Sequence, residues 1–269
     1  MVRFALELAL APSLVAASTL ACQRWSARIG GLLSAFPAVV GPLLLITAQE
    51  RGAAFATSTA TGTLLGLITL AGFALVYARA AAAGAGWAVS LLAGWSCAAV
   101  LGGLVQLISV HAALPIGLIT ATLALVSAHR ALPALPGEWN STDSSGREIL
   151  LRMAATTGLV IGLALAAQFL GPRAGGMLAG LPALASVLAV FTHRRDGVPA
   201  LVALMRGLLA GMAGFVGFCS VVALLIAPAG TLFAFAVATL VAVALEALAY
   251  VAGKQDLSRA DALLVQRGV

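Results

Sequence analysis

Apolar residues run through this chain in long unbroken blocks, and the polar positions fall between the blocks instead of alternating with them. A block of about 20 apolar residues, coiled as an α-helix, crosses the roughly 30 Å hydrocarbon core of a bilayer with every backbone group paired inside itself. That measure predicts nine spans, at about 4–22, 29–49, 54–78, 85–108, 112–128, 149–170, 174–192, 198–226 and 229–252. Between the fifth and sixth, a polar stretch from Arg130 to Glu148 holds Pro133, Pro136 and the run Asn140-Ser141-Thr142-Asp143-Ser144-Ser145-Gly146, the one long loop in the pattern. The fourth and fifth spans are parted only by Ser109, His111 and Pro115, and a charged tail begins at Lys254.

Composition sharpens this picture. Hydrophobic residues make up 62% of the 269 and charged residues 9%, against about 25% charged in a soluble domain. So little charge excludes a soluble enzyme, a disordered scaffold and a nucleic-acid binder. The net charge of +6 is a matter of loop placement. Arg3, Arg51 and Arg173 fall on the side of the N-terminus. Arg24, Arg28, Arg79, Arg130, Arg147, Arg194, Arg195, Lys254, Arg259 and Arg267 fall on the other, with Arg152 and Arg206 just inside spans there. The positive-inside rule then puts the N-terminus outside and the C-terminus in the cytoplasm, in a bacterial inner membrane. Tyr77, Trp87 and Tyr250 fall at the cytoplasmic interface, where amphipathic rings are favoured. Residues 1–22 read as a span and not as a cleaved leader, because Glu7 interrupts the apolar region and Thr19 fits poorly ahead of Cys22. Cys22, Cys97 and Cys219 all lie in apolar runs and read as small core residues.

The chain also matches itself at an offset of 145. Gln23, Arg28, Gly30, Gly31, Leu33, Pro37 and Ala38 recur as Gln168, Arg173, Gly175, Gly176, Leu178, Pro182 and Ala183. The match continues through Thr47/Thr192, Gly52/Gly197, Gly62/Gly207, Gly66/Gly211 and Gly72-Phe73/Gly217-Phe218, with 17 of 56 aligned positions identical. Spans one to four map onto six to nine, and the unpaired fifth turns the second copy upside down. The expected fold is therefore all-α: a polytopic membrane helical bundle of about nine transmembrane helices in two inverted four-helix repeats joined by a linker helix. The divisions are 1–108 for the first repeat, 109–130 for the linker, 131–147 for a cytoplasmic loop, 148–253 for the second repeat and 254–269 for a cytoplasmic tail.

The duplicated motif carries the chemistry there is to find. Pro37 lies nine residues past Arg28, about 13 Å along a helix, so its break in the hydrogen-bond ladder falls near mid-membrane, with the Leu33 carbonyl freed. Pro182 does the same from the other face, freeing Leu178. Pro42 adds a second break in the first copy, where Val187 stands in the other. Ser34, Pro37, Pro42, Ala179 and Pro182 are the expected substrate-binding group, with Arg206 on the cytoplasmic side and Glu246 as a partner for it. Arg28, Arg173, Gln23 and Gln168 are candidates for gating or anion contact, the arginines reading equally as snorkelling anchors. Gly30, Gly31, Gly62, Gly66, Gly175, Gly176, Gly180, Gly207 and Gly211 read as helix-packing positions that let backbones approach. Asp is absent from every span and no Glu is placed near a midplane, which favours facilitated or weakly coupled transport. His111, His129 and His193 lack metal-ligand spacing, and the chain shows neither a phosphate-binding glycine loop nor a catalytic constellation. Neither enzyme activity nor any metal or cofactor is expected.

The stretch from Arg28 to Ala78, opening Arg-Ile-Gly-Gly-Leu-Leu-Ser-Ala-Phe-Pro, resembles the core of the GlpM-like family of small bacterial inner-membrane proteins. The Gly31-to-Pro37 segment is similar to their Gly-x3-Phe-Pro segment, and Gly176 to Pro182 repeats it with Leu181 for Phe. The resemblance covers about 50 residues of each half and implies a tandem duplication of that unit, with a link to exopolysaccharide production and no substrate to carry over. Fluoride channels share the four-one-four plan but not the Asn and Thr-Thr-Phe-Ser signatures. Sulfite and organosulfonate exporters have a longer glycine run than Gly30-Gly31. The expectation is thus a membrane transporter or channel-like protein for a small or amphiphilic solute, anions included. The alternative is a non-transporting accessory subunit of a polysaccharide- or lipid-processing complex. Expected partners are membrane lipid, an unknown small solute, and a second copy or a partner membrane protein, with no nucleic acid.

Overall fold

The computed structural model describes residues 13, 15–22, 24–37, 40–108, 113–134, 146–147, 149–159, 161–162 and 182–266. Every regular element among them is a helix. We number these α1 (residues 15–22), α2 (Ala27–Ser34), α3 (Val40–Arg51), α4 (Ala53–Ala82), α5 (Trp87–Ile108), α6 (Leu114–Ala131), α7 (Ile149–Leu159), α8 (Ala183–Ala229) and α9 (Thr231–Gln266). Five of them, α4, α5, α6, α8 and α9, are long and apolar enough to cross a membrane. Their outward faces carry Leu92, Val100, Leu107, Ile119, Leu123, Leu232 and Leu240, all more than half exposed. Water would penalise such faces and hydrocarbon does not. The chain is a membrane-embedded helical protein.

The spans expected at 54–78, 85–108, 112–128 and 229–252 match α4, α5, α6 and α9. The fourth and fifth are separate helices: α5 ends at Ile108, and α6 begins after Ala113 with Pro115 in its first turn, where no backbone donor is lost. The span expected at 29–49 is interrupted: α2 ends at Ser34, residues 35–37 are non-helical, and α3 is described from Val40. Those expected at 4–22, 149–170 and 174–192 are described only in part.

Three helix junctions carry glycine in one positive-φ conformation, at Gly52, Gly197 and Gly230, the last joining α8 to α9 at φ 83°, ψ 162°. Gly52 joins α3 to α4 at φ 82°, ψ 172°, and Gly197 divides α8 into 183–196 and 198–229 at φ 81°, ψ −176°. That combination is close to glycine-only, since a Cβ would collide with the backbone. The turns at Gly52 and Gly197 lie at opposite ends of the bundle. Gly52 precedes the first residue of α4, whereas 183–196 ends beside the last turns of α4, with Tyr77 Oη 3.4 Å from His193 Nδ1 and the Arg194 guanidinium 5.3 Å from the centre of the Trp87 ring. The second limb of α8 then runs back antiparallel to α4, as the contact from Thr57 to the Ala223 carbonyl records.

That limb is the spine of the molecule. Leu201, Leu204, Met205, Leu208, Leu209 and Val222 are almost wholly buried along it. α2, α4, α6 and α9 all pack against it. Glycines set how closely. A Cβ on Gly207 would run into the Arg28 carbonyl, one on Gly31 into the Leu204 carbonyl, and one on Gly211 would stand 2.8 Å from the Leu32 carbonyl. Gly30, on the adjoining face of α2, does the same against Cys22 of α1. Consecutive glycines thus let α2 sit between α1 and α8, the close approach that small residues permit in lipid.

Candidate functional site

The site is assembled where α2 gives way to α3. Ser26 starts α2 by accepting the Ile29 N–H on its hydroxyl at 3.2 Å, a short N-cap. The helix lasts eight residues. It closes with tight turns, Ala35 N–H to the Leu32 carbonyl at 3.1 Å and Phe36 N–H to the Leu33 carbonyl at 3.2 Å. The Leu33 carbonyl expected to be freed by Pro37 is therefore taken up by a 3₁₀-type bond, the usual repair at a helix end. Pro37 then opens the next helical stretch, its carbonyl accepting from Gly41 N–H at 2.8 Å.

Beside this break lies a cavity of about 420 Å³, lined by Phe36, Pro37, Gly41, Pro42, Leu45, Phe218, Phe235, Ala236 and Thr239. It sits between α3, the spine and α9. Phe218 and Phe235 meet edge to face at 5.9 Å to form one wall, a preferred aromatic arrangement, and Thr239 Oγ1 bonds back to the Phe235 carbonyl at 2.8 Å. The lining is apolar, so the cavity suits hydrocarbon or a ring and not a free inorganic anion.

The expected substrate group is only partly gathered here. Pro37 and Pro42 line the cavity. Ser34 does not, because its hydroxyl turns back to the Gly31 carbonyl at 2.6 Å. Pro182 caps the start of 183–196 in a different setting. Its carbonyl accepts from Ser186 N–H and Ser186 Oγ, each at 2.8 Å, and that hydroxyl accepts from Trp95 Nε1 at 2.8 Å. Ala179, Gln23, Gln168, Arg173, Gly175, Gly176 and Gly180 lie outside the described residues. Arg28 is half-buried on α2, its carbonyl against Gly207. No described atom lies within 4 Å of a Cβ built on Gly62 or Gly66.

Arg206 does not pair with Glu246. Its Nη2 donates to the carbonyls of Leu132 at 3.3 Å and Pro133 at 2.9 Å, while Arg79 Nε and Nη2 donate to Ala131 O at 3.2 and 3.1 Å. Two arginines therefore satisfy the open carbonyl end of α6, where positive charge also complements the helix dipole. Glu246 packs instead against Gly214, where an added Cβ would meet its Cγ at 2.8 Å. Gly214 is eight residues from Arg206 along α8, about 12 Å at 1.5 Å per residue. Within the apolar span Thr231–Ala252, Glu246 stands six residues from the end, about 9 Å along a helix.

Sequence reasoning missed the Phe218–Phe235 wall, the Trp95–Ser186 bond and the burial of Glu246 against Gly214. One signal was readable: Ala234, Ala238 and Ala242 recur every four residues, all fully buried, and the next position in that register is Glu246. Compared with known proteins, the chain matches no protein-family model, no curated protein and no solved structure.

Proposed function

We propose that this protein is a membrane transporter for a small amphiphilic solute, built on two inverted repeats, with the solute's apolar part held in the cavity beside Pro37. The observation that carries the reading is a helix interrupted inside the bundle next to a cavity of about 420 Å³. Interrupted helices recur at transporter binding sites, because the break supplies both room and unladdered backbone where an unbroken helix has neither. The inverted repeat is supported by three correspondences at the offset of 145. Gly52 and Gly197 share one conformation, which Gly230 also adopts. Gly41-to-Pro37 and Ser186-to-Pro182 are the same backbone bond at the same length. The helices that follow the two prolines end at opposite ends of α4. Under this reading the nine-span topology holds, with the N-terminus outside and the basic ends cytoplasmic.

The test uses the purified full chain in liposomes and a nitrobenzoxadiazole-labelled alkyl amphiphile, with dithionite quenching to report its passage between leaflets. The expected result is passage faster than in protein-free liposomes, abolished by Gly41→Leu, which fills the cavity against Phe218, and reduced by Pro37→Ala. Passage at the protein-free rate would remove the transport reading. Equal passage in the wild type and in a folded Gly41→Leu variant would remove the cavity from it.

The accessory-subunit reading has one observation in its favour. A second apolar hollow of about 300 Å³ lies between α6 and the spine, lined by Leu125, Val126, His129, Arg130, Leu209 and Ala213 among others. A lateral hollow of that kind also suits a neighbouring helix. Co-purification of a stoichiometric membrane partner, lost on Ala213→Trp, with no amphiphile passage, would favour this second reading.

A further inference from the structure

We propose that Glu246 is a proton-binding site within the bundle, and that its protonation is the coupling step of the transport cycle. The coupling half of this statement rests on the transport reading above, and the proton-binding half does not.

The geometry is that of a carboxyl set into an apolar seam. Along α9, Ala234, Ala238 and Ala242 are each fully buried, and Glu246 continues their stripe at 8% exposure. Opposite them on α8 stand Gly214 and Gly217, where added Cβ atoms would meet Glu246 Cγ at 2.8 Å and Val241 Cγ1 at 3.1 Å. The glycine at 214 therefore makes room for this side chain in particular. Glu246 Oε1 is buried and makes no hydrogen bond. Among the residues whose side chains are described, the charged groups on the packed elements stand away from it. On α8, Arg206 is two turns off with its guanidinium on the α6 carbonyls, and Cys219 lies beyond Gly214 toward the other face. On α2, Arg28 lies level with Gly207, and on α3, Glu50 and Arg51 are at its far end. Tyr250 follows one turn later on α9 itself. An ionised carboxylate costs a great deal where neither water nor a counter-ion reaches it. A single proton removes that charge, and the seam is too closely packed at Gly214 for a hydrated cation.

The site is also in the right place. Phe218 is one turn from Gly214 on the same face of α8, and Thr239 is two turns from Glu246 on α9. The carboxyl and the cavity beside Pro37 therefore lie along one seam. Charging Glu246 would loosen the α8–α9 contact that also forms the cavity wall at Phe218 and Phe235, a route by which proton release biases the cavity between two states.

The experiment labels the full chain in liposomes with a lipophilic carbodiimide, which adds to a protonated carboxyl, and follows the Glu246 peptide by mass spectrometry across a pH series. Infrared difference spectra of the wild type and Glu246→Gln follow the same carboxyl without a label. The expected result is labelling at Glu246 that falls roughly tenfold per pH unit above its midpoint, with no effect of sodium, and a carboxylic C=O band that follows the same titration and is missing in Glu246→Gln. A band and labelling that do not change with pH would overturn the site, and protection by sodium at fixed pH would reassign it to a cation. A pH-sensitive dye trapped in the liposomes then reads coupling. Amphiphile passage should carry protons in the wild type and lose them in Glu246→Gln. A titrating Glu246 in liposomes that pass no amphiphile would leave the proton site standing and remove transport. Passage with unchanged proton movement in Glu246→Gln would leave transport standing and remove coupling.

Discussion

Single residues set the distances at which these helices meet. Gly207 faces the Arg28 carbonyl with no space for another carbon, so Gly207→Val has to push α2 off the spine. Overpacking of this kind costs about 1–3 kcal/mol, which a thermal unfolding series in detergent would register as a clear fall in Tm. Trp95 makes a different contribution. Its indole N–H and the Ser186 hydroxyl hold the proline-led start of 183–196 against α5, and Trp95→Phe keeps the ring while deleting the donor. A loss of about 0.5–1.5 kcal/mol is expected, and Ser186→Ala on top of it should add less than it does alone, because the two share one bond. Gly30, Gly31, Gly207 and Gly211 were readable as close-approach positions from spacing alone, whereas Gly62 and Gly66, read the same way, have no described atom against them. What faces each of them was not, since nothing in Gly-x3-Gly says that α2 lies on α8 or that Gly30 and Gly31 serve two different neighbours. Glu246 shows the same limit. Its register in the alanine stripe was visible, but its burial depended on which residue of α8 faces it, and only the fold sets Gly214 there.

At the scale of elements, the lesson is in how helices stop. The proline at 37 was legible as an interruption, and the helix does stop just before it. Whether the interruption is a kink or a full break was not legible, because it depends on whether Ala35 and Phe36 turn back on Leu32 and Leu33 to close the helix, as they do here. The joint at Gly197 was placed within a few residues, but the reversal happens on that one residue with no loop. This makes a direct prediction. Gly52→Ala and Gly197→Ala each force a Cβ into a near glycine-only conformation, costing about 1–3 kcal/mol, with no neighbouring atom to relieve or worsen the strain at Gly52 and only Pro199 at 3.8 Å from Gly197. The two losses should therefore be similar, and unfolding midpoints would show it. Unequal losses would mean that the two turns, alike in φ and ψ, carry different loads.

For the whole molecule, the open question is whether matched sequence means matched packing. On one side the relation is plain: Gly207 and Gly211 receive the backbone of α2 from Arg28 to Ala35. Their sequence counterparts are Gly62 and Gly66 on α4, and Gly62 is exposed with no described atom near a built Cβ. If the chain is a true inverted duplication, some backbone has to lie against Gly62 as that of Arg28 lies against Gly207. Gly62→Val should then cost about 1–3 kcal/mol, like Gly207→Val. If the duplication survives only in sequence, Gly62 is an ordinary helix glycine facing lipid, and Gly62→Ala should stabilise α4 by roughly 0.5–1 kcal/mol. The two outcomes have opposite sign, so unfolding of Gly62→Ala and Gly62→Val beside the wild type decides between them. The inverted repeat predicts the loss, because a bundle that places its two proline-led helices toward opposite ends of α4 needs both copies of the glycine pair to hold them there.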